Sequence, residues 1–147
     1  MKFIHVVRNP FDMVASSAAH LDGGHRVETA LRWTHERCAV NHAIAKALGD
    51  ASVLTVWHEA FVGDVVRGLD RICAFVGLEA PQDYLRACAA IVRPAPHKTR
   101  FSVDWTPALR KKAERIIDEF PFMTVYRGDG PGGRESASLA AAPGDAR

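Results

Sequence analysis

An arginine near the start of the chain separates an apolar run from a helix start: KFIHVV, then Arg8, then Asn-Pro-Phe-Asp and MVASS. Its planar guanidinium offers several N–H donors in a fork that matches phosphate, and Ser16, eight residues on, adds a hydroxyl donor. A cation at the carboxyl end of a strand, beside a helix N-terminus, stands where open α/β sheets put their ligands. Taken alone, the local pattern favours a plainer reading, a salt bridge at the strand end and a solvated serine. A second cationic group lies in the proline-stiffened loop Arg93-Pro-Ala-Pro-His-Lys-Thr-Arg100, where Lys98, Thr99 and Arg100 are placed to wrap an anion. By itself a basic loop is more often a solvated surface feature.

Other chemistries find less support. The chain has seven histidines, and His35 and His42 lie on similar faces of one helical segment, but no H-x-x-x-H or H-x-x-E-H spacing occurs. No metal site is expected. His58-Glu59 follows an apolar run in a position suited to catalysis, although Glu59 serves equally well to cap or orient the next helix. No G-x-S-x-G nucleophile elbow is present. The sequence assigns no catalytic base.

The elements that must position these residues follow from periodicity. Residues 2–7 read as a buried strand of β-forming residues. Asn9 fits an N-cap and Pro10 the first helical position, with Asp12 where a capping carboxylate helps. Phe11, Val14, Ala15 and Ala18 then share one helix face, and Asp12 and Ser16 another. After a break at Asp22-Gly23-Gly24, Val27 to Leu48 reads as a long helix with two apolar stripes. Val27, Leu31, Thr34, Cys38 and Ala45 form one stripe, and Trp33, Val40, Ile44 and Ala47 the other. Glu28, Arg32, His35 and Lys46 form a polar ridge between them.

Ser52 to Trp57 is the second expected strand. A helix over Val65–Val76 should bury Val65, Leu69, Ile72, Cys73 and Val76, with Gly77 at its left-handed end. Pro81 opens a further helix that Pro94 and Pro96 stop, and residues 93–105 form an irregular basic loop. Thr106-Pro107 starts the last helix, which runs to about Glu119 before Pro121. From Gly128 the composition of Gly, Ala, Pro and Ser reads as a disordered tail. The formal G-x-G-x-x-G at Gly128, Gly130 and Gly133 has too little chain after it to complete a βαβ unit.

Strands separated by helices imply an α/β fold with parallel pairing, here with few strands and several flanking helices. Residues 1–127 form one domain and 128–147 a tail. The 147-residue length suffices for a core, and the net charge of +2 is too mild to suggest a nucleic-acid partner. Three cysteines without a C-x-x-C pair, all within helical segments, read as reduced thiols. No membrane-spanning run and no signal-type apolar stretch occur, so a cytoplasmic location is expected.

Taken together, these segments resemble a PAPS-dependent sulfotransferase, one that uses 3′-phosphoadenosine 5′-phosphosulfate. In that family's second nucleotide motif an apolar strand leads to Arg-Asp/Asn-Pro-x-Asp and a helix with Ser eight residues after the Arg. FIHVVRNPFDMVASS is similar to it, with Arg8 and Ser16 in register. The long helix carrying Trp33, the segments VLTVWHEAFVGD and CAFVGL, and the loop HKTRFSVDW resemble the family's later elements in order and spacing. The resemblance implies a partial P-loop-NTPase-like fold and PAPS as co-substrate. It implies that Arg8 and Ser16 hold the nucleotide's 3′-phosphate, helped by Lys98 and Arg100. The reaction implied is sulfuryl transfer to an acceptor hydroxyl or amine whose identity the sequence does not specify.

The family's 5′-phosphosulfate loop has no counterpart in the sequence, so the chain is expected to be the C-terminal part of such an enzyme, inactive alone. A missing N-terminal segment or a second copy is then the expected partner. The rival reading is a non-catalytic nucleotide-binding or protein-interaction module of the same fold; a nucleotide-kinase fragment is a third.

Overall fold

The computed structural model describes residues 1–93 and 95–131. Among these the chain is mostly helical, with one two-stranded parallel sheet, an α/β arrangement. It forms two compact units. The first gathers Met1–Val7 and Leu48–Pro96, and the second gathers Arg8–Ala47 and the described residues from His97 on.

In the first unit, β1 (Phe3–Val7) pairs in parallel with β2 (Val53–Trp57), Phe3 opposite Val53 and Val7 opposite Trp57. The expected buried strand is buried on one side only. His5 and Val7 are enclosed, whereas Ile4 is 37% and Val6 61% exposed. An alternating pattern of this kind is what a strand shows when only one face of its sheet is covered. Lys2 ties this strand's start to the chain before β2 through a 3.0 Å bond to the Ala51 carbonyl.

Directly after β2 comes a short helix that the sequence reading did not assign, α3 (His58–Gly63), so His58 and Glu59 open a helix rather than a loop. Asp64 then caps α4 (Val65–Val76), its Oδ1 accepting from Arg67 N at 3.1 Å. Gly77 ends it at φ 83°, with Leu78 N donating to Cys73 O and Gly77 N to Ala74 O, the paired bonds of a Schellman ending. The apolar face expected to be inward on α4 is only half-buried, and Val76 is exposed. Within α4, Gly68 admits the Phe61 ring of α3: a Cβ there would stand 2.4 Å from it. Helix α5 (Gln82–Ala90) buries Leu85 completely. Of the two prolines expected to stop it, Pro94 lies outside the described residues.

The second unit opens with Arg8 and α1 (Pro10–Ala18). Asn9 caps α1 as expected, Oδ1 accepting from Phe11 N at 3.0 Å, and Phe11, Val14, Ala15 and Ala18 are all buried. Helix α2 (Arg26–Leu48) buries one stripe, through Leu31, Thr34 and Cys38 together with Ala30. The second expected stripe is not enclosed: Val40 is 58% exposed. The two stripes lie on opposite sides of the helix, and the buried side is the one that carries His35 and His42. His35 Nε2 lies 2.9 Å from Glu119 Oε2, and both imidazoles lie against the Phe120 ring. The residue read as part of a polar ridge is thus a tertiary contact.

Helix α6 (Pro107–Glu119) starts at the predicted cap, Thr106 Oγ1 accepting from Leu109 N at 3.3 Å. A 3₁₀ turn over Pro121–Tyr126 follows, burying Met123 and Tyr126. The packed chain continues past Gly128, because Asp129 and Pro131 are buried. The rest of the expected tail, with Gly133 of the glycine pattern, lies outside the described residues.

Cys38 is 2% exposed, and burial with the nearby Glu119 carboxylate pushes its thiol up to about 12. A thiol held protonated and enclosed is a poor nucleophile. Brief alkylation with iodoacetamide at pH 8, read by mass spectrometry, should therefore label the half-buried Cys73 and Cys88 before Cys38; labelling of Cys38 first would contradict the packing of α2.

Candidate anion site on helix α1

Sequence expectation put four residues at an anion: Arg8, Ser16, Lys98 and Arg100. All four fall in the second unit. Asp12 and Ser16 are one helical turn apart on α1, on a single face. The loop 97–102 packs on that face, for Thr99 Oγ1 donates to the Asp12 carbonyl at 2.9 Å and Arg100 N to Asp12 Oδ1 at 2.7 Å. Arg8 joins the same loop, its Nη2 donating to the His97 carbonyl. Exposed Lys98 lies in the backbone between those two anchors. Arg8 and Ser16 are half-buried.

The start of α1 offers little backbone to an anion. Pro10 has no N–H and that of Phe11 is taken by Asn9, which leaves side chains as the larger source of positive charge here. Arg8 is suited to supply it. Its Nε is buried and has no hydrogen-bond partner among the described residues. A buried donor left unsatisfied costs about 1–3 kcal/mol, more when it is charged. An anion oxygen arriving at Nε would remove that cost.

Arg100 is held differently. Nε and Nη2 reach the two oxygens of the Asp12 carboxylate at 3.2 and 2.8 Å, and Nη1 donates to the Asp129 carbonyl. The pair is nearly closed to water, with side-chain exposures of 10% for Arg100 and 1% for Asp12. All three guanidinium nitrogens are therefore engaged by protein oxygens. Asp12, expected to help cap the helix, has instead turned to this cation; the cap is complete without it.

Neighbouring groups extend the bracing. Trp105 Nε1 donates to the Arg100 carbonyl at 2.8 Å, and the Trp105 ring meets Phe11 edge-on with centroids 4.9 Å apart. Asn9 Nδ2 reaches the Asp129 carbonyl at 3.4 Å. Sequence reasoning missed the Asp12–Arg100 pair because its partners are 88 residues apart and neither carries a local signal of the other. It missed the Asp129 carbonyl because backbone acceptors have no residue signature.

A cavity of about 330 Å³ elsewhere in this unit is lined by Phe11, Arg110, Ile117, Asp118 and Tyr126 among others, and takes none of the four expected residues. Histidine-, cysteine- or carboxylate-based metal clusters are absent among the described residues. No helix among them is long and apolar enough to cross a membrane.

A half-buried arginine follows a parallel strand of this α/β protein, with a hydroxyl-bearing helix after it and a basic loop bonded to its guanidinium. The sequence of residues 1–83 matches a protein-family model described as the sulfotransferase family, and the chain belongs to that family. The match takes in Arg8 and Ser16 and stops before the loop with Lys98 and Arg100. No curated protein and no solved structure matches the chain.

Proposed function

We propose that this chain serves a sulfotransferase of P-loop-like fold by holding the 3′-phosphate of PAPS, with Arg8 and Ser16 as direct donors and Lys98 as a supplementary cation. The observation that carries the reading is the buried Nε of Arg8, without a hydrogen-bond partner among the described residues, in a chain whose family transfers sulfuryl groups. In the reaction the sulfuryl group leaves the 5′-phosphate oxygen and bonds to an acceptor oxygen or nitrogen, which loses its proton. The 3′-phosphate takes no part in that exchange. Gripping it uses binding energy remote from the reacting centre to hold the sulfur in line with the acceptor. A guanidinium suits the task because it stays charged at any working pH and meets phosphate oxygens through two parallel bonds.

The test is calorimetric titration of the protein with adenosine 3′,5′-bisphosphate, adenosine 5′-monophosphate and ATP. The bisphosphate should bind at least about tenfold more tightly than either of the others, the worth of one charge-assisted hydrogen bond. Preference for ATP would point to phosphoryl transfer instead. Absence of binding to all three would favour a module that does not use nucleotides.

A further inference from the structure

The Asp12–Arg100 pair has a geometry that suits it to a role in ligand selection. It joins α1, which carries Ser16, to the loop whose His97 carbonyl sits on Arg8 and whose next residue is Lys98. Three donors of one residue, Arg100 N, Nε and Nη2, converge on the Asp12 carboxylate, and Thr99 adds a fourth bond to the Asp12 carbonyl. Such an arrangement fixes both the loop's position and the direction in which its backbone leaves the anchor. It also neutralises a carboxylate that shares a helix face with Ser16, where a bare negative charge would oppose a phosphate.

We propose that Asp12 and Arg100 are positioning residues for the phosphate site: their ion pair latches loop 97–102 onto α1 so that Lys98 and the Arg8 guanidinium are held ready for a phosphate monoester. The proposal rests on the 3′-phosphate reading above. Arg100 acts through the loop it anchors and Asp12 acts through Arg100; neither touches the ligand. Trp105, whose indole N–H holds the Arg100 carbonyl, braces the latch from the far end of the loop.

The consequence is selective. Freeing the loop lowers the fraction of molecules in which the phosphate site is assembled, and the apparent affinity falls by that fraction. A ligand that lacks the 3′-phosphate does not need the site and is spared. The test uses Asp12→Asn, which keeps size and one carbonyl oxygen while removing the charge, and the milder Thr99→Val. Each is titrated with adenosine 3′,5′-bisphosphate and with adenosine 5′-monophosphate, and amide hydrogen exchange is followed across 97–102 without ligand.

Asp12→Asn should lose about tenfold in affinity for the bisphosphate, as expected if the assembled fraction drops to roughly a tenth, with the monophosphate unchanged. Exchange in 97–102 should quicken while α6 stays protected. Thr99→Val should show a smaller loss of the same selective kind. Unchanged preference in either folded variant overturns the proposal, and Thr99→Val decides alone if Asp12→Asn does not fold. An equal loss for both ligands also overturns it, since that marks a purely structural pair. If the unaltered protein itself fails to prefer the bisphosphate, the 3′-phosphate reading has failed and the latch falls with it. That outcome is visible before any variant is made.

Discussion

Phe11→Ala should destabilise the protein by about 3–5 kcal/mol, the usual cost of emptying a large aromatic site in a core. Phe11 is 1% exposed. Its ring is the common floor for separate stretches of the second unit: Trp105 meets it edge-on at 4.9 Å, and Gly130 approaches so closely that a Cβ would stand 3.2 Å from it. Truncation leaves a void between segments that cannot all collapse into it, because Trp105 is also held through its indole N–H to the Arg100 carbonyl. The loss is a large part of the 5–15 kcal/mol that a domain normally has in hand. Urea unfolding followed by circular dichroism measures it. Phe11→Leu, which keeps most of the volume, should cost less than half as much. A drop below about 1 kcal/mol for Phe11→Ala would show that the ring does not hold these segments together.

What could be read from the sequence, and what could not, separates along chain distance. Helix α6 began at Thr106 and α1 at Asn9 because a cap is a local event, a side-chain oxygen meeting an N–H two or three residues on. Gly77 was legible for the same reason. The buried face of α1 followed from period alone. Burial on α2 did not, because two stripes announce two possible faces and only long-range packing decides between them. His35 shows the limit well: a histidine among charged neighbours has the signature of a solvated ridge, and only Glu119 and Phe120, distant in sequence, make it a contact.

The candidate site divides in the same way. The register of Arg8 with Ser16 and the basic loop were visible as residue types. That Arg100 is enclosed against Asp12 whereas the Arg8 Nε keeps no partner among the described residues was not, because two arginines in basic surroundings look alike until their acceptors are known.

That difference leads to the sharpest expectation about the site. Arg8→Ala should lower affinity for adenosine 3′,5′-bisphosphate by at least about a hundredfold, because two charge-assisted bonds to phosphate contribute roughly 1.5–3 kcal/mol each. The same change should alter folding stability by less than about 1 kcal/mol. It removes one bond to the His97 carbonyl, but it also removes a buried Nε that has no partner among the described residues. Function and stability are thus expected to part company at this residue, as they do where a site holds a group for its ligand rather than for the fold. Arg8→Lys keeps the charge and loses the fork, so its affinity should fall between the two. Calorimetric titration and urea unfolding on the three proteins check both halves. If Arg8→Ala instead unfolds the protein by several kcal/mol and the folded fraction binds the bisphosphate as before, Arg8 is the strand-end salt bridge that the local pattern alone favoured, and the anion site must be sought elsewhere.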